Sequence, residues 1–167
     1  MAQRRLRVLQ RALARCTRGS ARRAKAKGQV VALHEKVANV RTDVHHKTAR
    51  HLVEQNDVLV HEDLAIKNMV KNHSLARAIH DAGWSQFLTI LTSKAAEAGR
   101  QVIAVDPRGT SQTCPCGAAV PKTLADRWHD CPGCGLSLPR DQASAMLIKR
   151  EGHSPQAPTQ RDTAHVA

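Results

Sequence analysis

Five cysteines stand in this 167-residue chain, and four fall in two close pairs, Cys114-Pro115-Cys116-Gly117 and Cys131-Pro132-Gly133-Cys134-Gly135. Cys-x-x-Cys-Gly is the knuckle of a zinc ribbon, where the glycine lets backbone amides turn toward the sulfur. Four thiolates make a closed tetrahedral zinc site, structural rather than catalytic. Zinc there contributes on the order of 10 kcal/mol of apparent folding free energy to a segment with almost no core. The first pair, Cys114 and Cys116, is one residue short of a knuckle, which strains its bite. The alternative is a relic knuckle that no longer closes. His129 is a conceivable substitute ligand and, more simply, a loop histidine. Cys16 falls on an apolar helical stripe and reads as a small buried hydrophobe.

Two carboxylates occupy positions where chemistry is often placed. Asp57-Val58-Leu59-Val60-His61 is an apolar run that predicts a buried strand, with Glu62-Asp63-Leu64 at its C-terminal end. Ligand sites of α/β folds lie at such strand ends. Residues 140–150, RDQASAMLIKR, predict a short amphipathic helix with Asp141 in its first turn. Taken alone, Glu62 is also a solvated strand-end acid, and Asp141 an acid favoured by the helix dipole.

The elements that must position these groups follow from periodicity. Residues 74–98 carry an apolar helical face through Leu75, Ile79, Trp84, Phe87, Leu88, Leu91 and Ala95, interrupted at Gly83 and capped near Gly99. Residues 64–73 read as irregular. Gln101 to Asp106 is a second strand. Strand–helix–strand predicts a parallel pair with a right-handed crossover. Two parallel strands leave both edges unpaired, and no candidate strand lies before Asp57. Part of this fold is therefore expected to be missing here or supplied by another chain. Upstream, residues 3–17 place Leu6, Leu9, Leu13 and Cys16 at helical spacing. A break at Thr17-Arg18-Gly19-Ser20 precedes a helix from about Ala21 to Gln55 with Ser20 as a candidate cap. Val30, Leu33, Val37, Val40 and Val44 form a heptad-like stripe on it. The expected divisions are a basic helical hairpin over 1–56, an α/β part over 57–110 and 140–150, the cysteine ribbon over 111–139, and a disordered tail over 151–167.

The charge points to the partner. The formal net charge is +12, and residues 1–50 hold fourteen Lys and Arg against two Asp and Glu, so the whole excess lies there. A localised excess of this size indicates a polyanion, through counterion release from phosphates. The candidate contacts are Arg4, Arg5, Arg7, Arg11, Arg15, Arg18, Arg22, Arg23, Lys25 and Lys27. The competing explanation is a solvated basic helix face. Phe87, Trp84 and Trp128 are the only aromatics of their kind and tyrosine is absent, which argues against a binder built on base stacking. No apolar run reaches a membrane span and no secretory signal opens the chain. Clustered cysteines without a signal indicate a reducing compartment.

At this point several blocks carry a resemblance. VLVHEDLAIKNMVKNHSLARAIHDAGWSQF closely resembles the block around the second catalytic acid of the TnpB-type (OrfB-type) nucleases of transposons. VIAVDPRGTSQTCPCG resembles the strand leading into their zinc ribbon, and CPGCGLSLPRDQASAMLI the ribbon's end and following helix. The basic helical segment resembles the insertion between the first and second catalytic segments. The match covers roughly residues 3–150. It implies an α/β fold, a RuvC-like domain of the RNase H-like class with a basic helical insertion and a zinc ribbon. It implies RNA-guided DNA cleavage, related to the type V CRISPR effectors, with guide RNA and DNA as partners. It also implies that the reducing compartment is the cytoplasm of a bacterium or archaeon, at the nucleoid. Three carboxylates would hold divalent ions, usually Mg²⁺. Glu62 matches the second acid and Asp141 the third. The first acid sits on an Asp-x-Gly strand with no counterpart before residue 3, so the RuvC-like domain is expected to be incomplete here. Two carboxylates alone make a weak Mg²⁺ site. Pro139 and Ala143 replace the usual acid and asparagine of the third motif. The expectation is a transposon-associated nucleic-acid-binding fragment that does not cut on its own. The alternative is a non-catalytic zinc-ribbon remnant.

Overall fold

Residues 2–123 and 125–154 are described by a computed structural model of the chain. The expected disordered tail lies outside the described residues from position 155 onward. Before that, the last helix continues two residues past the expected end, to Gly152. The chain divides into two compact units, residues 1–51 and 52–167.

The first unit is helical. Helix α1 spans Ala2–Ala14 and α2, which runs on into the second unit, spans Ala21–Gln55. Ser20 caps α2: its Oγ accepts the N–H of Arg23 at 3.2 Å and donates to Thr17 O at 2.8 Å. Leu6, Leu9 and Leu13 of α1 and Ala26, Val30, Leu33 and Val37 of α2 are half-buried. The heptad-like stripe does not continue beyond them. Val40 and Val44 are 56% and 51% exposed, and the covered face moves instead to Arg41, His45 and Ala49. Steps of four overshoot the 3.6-residue turn, so the covered face winds around the helix. Cys16 also departs from expectation. It lies past the end of α1, half-exposed, with its Sγ donating to Ala12 O at 3.3 Å.

The second unit holds the α/β part. Strand β1 (Val58–Glu62) pairs in parallel with β2 (Gln101–Val105), from Val58↔Gln101 to Glu62↔Val105. Between them come α3 (Ile66–Met69), α4 (His73–Ala82) and α5 (Trp84–Glu97). The short α3 falls where irregular chain was expected. Gly83, at φ +63°, ends α4 and starts α5, which is the interruption the sequence shows. Gly99 at φ +66° closes α5, with Gly99 N–H donating to Ala96 O and Arg100 N–H to Ala95 O, a Schellman arrangement. Val102 and Val105 of β2 are both buried and point to opposite faces of the pleat, so β2 is covered on both sides. Helices α5 and α6 (Arg140–Gly152) pack on the strand pair and bury Leu91, Ala95, Ala143 and Leu147. Among the described residues no third strand joins β1 and β2.

The ribbon between β2 and α6 contains β3 (Trp128–Asp130), antiparallel to β4 (Ser137–Pro139). Helix α6 follows β4 without a linker. No helix of the described residues is long and apolar enough to cross a membrane.

Candidate metal centre and acidic strand end

The two cysteine pairs meet in space. Sγ of Cys114 lies 3.7 Å from Sγ of Cys134, and Sγ of Cys116 lies 3.6 Å from that of Cys131. All four sulfurs fall within 4.8 Å of one another. A tetrahedron of sulfurs at the Zn–S distance has edges of about 3.8 Å. A disulfide would need about 2.05 Å, so the sulfurs are spaced for a shared ion. The shortened first pair therefore reaches the geometry despite its missing residue. Gly117 at φ +96° and Gly135 at φ +74° provide the turns after each pair. Cys114 N–H donates to Ala118 O at 2.8 Å and Cys131 N–H to Leu136 O at 2.9 Å, closing each loop on itself.

The sulfurs sit in unlike surroundings. Burial raises the Cys131 thiol, but backbone N–H groups of Cys134 and Gly133 and the neighbouring thiols outweigh it and bring it down to about 6. Cys114, fully enclosed, is pushed up to about 12, chiefly by burial. Cys114, Cys131 and Val120, with Ala118 and Leu136 against them, are the ribbon's own core. A core of that size cannot hold the loops together, and a cation shared by four sulfurs can. The donor set and its spacing fit zinc, which would cross-link the ribbon and supply no reactive position.

His129 is not a ligand of this group and not in a loop. It lies on β3, fully buried, opposite Leu138, with Lys122 Nζ 2.6 Å from its Nδ1. Burial, followed by the Lys122 charge, lowers its pKa.

The strand-end acids are arranged differently. Glu62 is the last residue of β1, half-buried, and its Oε1 accepts the hydroxyl of Thr110 at 2.6 Å. Asp141 lies in the first turn of α6 with its side chain 89% exposed and Arg140 Nε 3.6 Å away. The described residues do not gather either acid into a group of three metal-capable side chains. Mg²⁺ is commonly held through one or two carboxylates with waters and phosphate oxygens, a requirement that Glu62 fits as a hard oxygen donor. Thr110 escaped the sequence reading. Its hydroxyl matters through a partner 48 residues away, which no local pattern reveals.

The basic residues of the first unit are mostly open to solvent. Arg4, Arg5, Arg7, Arg11, Arg15, Arg18, Arg22, Lys25 and Lys27 are all exposed. Arg23 is engaged within the chain: its Nη1 donates to Leu13 O and Cys16 O, each at 3.2 Å, and clips the turn between α1 and α2.

A parallel strand pair that runs into a four-cysteine ribbon, and a helix that returns from the ribbon to those strands, define an α/β chain with a zinc-ribbon-type insert. Residues 1–73 match a family profile of OrfB-type proteins described as "Probable transposase", and residues 84–148 match the profile "Cas12f1-like, TNB domain". A "Putative RNA-guided DNA endonuclease" of Streptomyces pristinaespiralis is 40% identical over 102 residues, covering 61% of this chain and 25% of that protein. InsQ of Escherichia coli K12, which bears the same description, is 32% identical over 169 residues, covering 91% of this chain and 42% of its own length. A solved Cas12f1–sgRNA–target DNA complex superposes with a TM-score of 0.60 over 87% of this chain and 40% of that one. At 17% identity that likeness is one of fold. The chain belongs to the TnpB/OrfB-type family. It spans between a quarter and about two-fifths of the length of these two curated relatives.

Proposed function

We propose that these residues form the part of a TnpB-type RNA-guided DNA endonuclease that carries two catalytic acids, Glu62 and Asp141, and a zinc ribbon held by Cys114, Cys116, Cys131 and Cys134. The α/β part is RuvC-like, and the basic helices α1 and α2 are its insertion. The observation that carries the proposal is the order of the pieces. Glu62 ends β1, its partner β2 feeds the cysteine cluster, and α6 with Asp141 packs back on both strands.

Each part then has a task. The exposed Arg and Lys of α1 and α2 contact phosphates of DNA or guide RNA without reading bases, since charge and not stacking surface is concentrated there. Zinc would cross-link the ribbon that joins β2 to α6. Divalent ions at the acids supply phosphodiester hydrolysis in sites of this class. Glu62 would present a hard oxygen to such an ion, and Asp141 would contribute from the first turn of α6.

A second reading has its own observation. The 167-residue polypeptide shows β1 and β2 as a pair without a third strand among the described residues, and its assigned acids number two. It then binds nucleic acid and does not cut. The test is fluorescence anisotropy with labelled DNA and RNA. Micromolar or tighter binding that weakens steeply with salt is expected, and binding that ignores salt would count against the proposal.

A further inference from the structure

The carboxylate at the end of β1 accepts a hydrogen bond from a buried hydroxyl. Thr110 is 5% exposed, and its Oγ1 lies 2.6 Å from Glu62 Oε1 and 3.1 Å from Pro107 O. A hydroxyl has one proton to give, and the shorter, charge-assisted contact to the carboxylate takes it. The bond to Oε1 restricts rotation of the carboxylate and leaves its remaining lone pairs available to a cation.

The turn after β2 is built to deliver that hydroxyl. Asp106 Oδ1 accepts the N–H of Arg108 at 3.0 Å, an Asx-turn that bends the chain as it leaves the strand. Gly109 takes φ +76°, and Gln112 N–H donates to Gly109 O at 2.9 Å. Downstream the same segment is anchored in the ribbon, where Val120 N–H donates to Gln112 O at 2.8 Å and Thr113 bridges to Ala119. Thr110 thus stands between the metal-ready cysteines and the strand-end acid. Burying a polar hydroxyl is costly unless it is bonded, so the contact is a specified feature of this turn.

We infer that Thr110 is a positioning residue for Glu62: its hydroxyl fixes the carboxylate so that a divalent cation of the Mg²⁺ class meets a preset oxygen. The inference rests on the proposed role of Glu62 as a metal-holding acid. Thr110→Val keeps shape and burial while removing the donor, and Thr110→Ser keeps the donor. A purely structural role would follow shape, whereas a positioning role follows the hydroxyl.

The experiment uses the zinc-loaded full chain, labelled with ¹⁵N and titrated with Mn²⁺. Paramagnetic broadening of the amides of Asp63 and Leu64 reports binding at Glu62 without any need for activity. Wild type and Thr110→Ser broaden at the same Mn²⁺ concentration. Thr110→Val requires about ten-fold more, the loss typical when an outer partner of a metal ligand is removed. Glu62→Gln loses the broadening. Melting temperature and zinc content confirm that each variant is folded, and Thr110→Ala against Thr110→Ser supplies the same comparison if the valine variant is not. Wild-type affinity in Thr110→Val, with loss in Glu62→Gln, overturns the inference and leaves the role of Glu62 standing. No broadening centred on Glu62 in the wild type, or none lost in Glu62→Gln, overturns both.

Discussion

Gly152, at the end of α6, sits so close to Val60 on β1 that a Cβ placed on it would lie 2.5 Å from both Val60 methyl carbons. Glycine is needed here for close approach and not for an unusual backbone angle. The contact sets how near the last helix lies to the strand that ends in Glu62. Gly152→Ala should destabilise the second unit by about 1–3 kcal/mol through overpacking. Val60→Ala added to it should recover part of that loss, because the two atoms that clash are gone. Denaturant unfolding of the single and double variants measures this, and strictly additive losses would contradict the contact.

The zinc prediction follows from sulfur spacings of 3.6 and 3.7 Å. Native mass spectrometry should find one zinc per chain, lost in Cys131→Ser. Chelation should unfold the ribbon and leave α2 helical, since the ribbon core is too small to persist alone. Metal-free protein with four freely titrating thiols in a folded ribbon would sink the assignment.

Binding to nucleic acid should depend on the first unit. Its log–log salt slope should be several units, and deletion of residues 1–50 should remove most of the affinity. Equal binding by the truncated chain would move the contact surface elsewhere. Reversing Arg23 alone should instead disturb the α1–α2 turn, because its guanidinium bonds Leu13 O and Cys16 O.

The winding face of α2 gives a stability contrast. Val40→Ala should change stability by no more than about 0.5 kcal/mol, since Val40 is 56% exposed. Leu147→Ala should cost about 2–5 kcal/mol, since Leu147 is 1% exposed. A large effect at Val40 would restore the heptad seam that its spacing suggests.

What the sequence made legible was local. The Ser20 cap, the break at Gly83, the Schellman glycine at position 99 and the apolar runs of β1 and β2 each depend on residues within a turn of one another. The cysteine cluster was readable because its chemistry is written in its spacing. What escaped depends on distant partners. Thr110 gains its meaning from Glu62, and His129 is buried opposite Leu138 although Trp128 and Asp130 beside it are exposed. Strands β3 and β4, three residues each, are too short for a two-residue period to show. Val40 and Val44 kept a heptad pattern in sequence while the covered face moved on, since periodicity reports apolar positions and not what lies against them.

A cleavage assay on the pure 167-residue polypeptide separates cutting from binding alone. Metal-assisted hydrolysis needs ions fixed between the attacking and leaving oxygens, and small misplacements are costly in rate. Glu62 and Asp141 are its proposed acids, and Asp141 is 89% exposed. The chain is incubated with Mg²⁺ or Mn²⁺ and single- and double-stranded DNA, with and without transposon-end RNA. Salt-sensitive binding and no cleavage above that of a Glu62→Ala control are expected. Metal-dependent cleavage abolished by Glu62→Ala or Asp141→Ala would overturn the non-cutting reading, uphold the two acids and point to Asp63 or Asp106 as the ligand that completes the site, whereas metal-dependent cleavage untouched by either substitution would contradict the proposed acids.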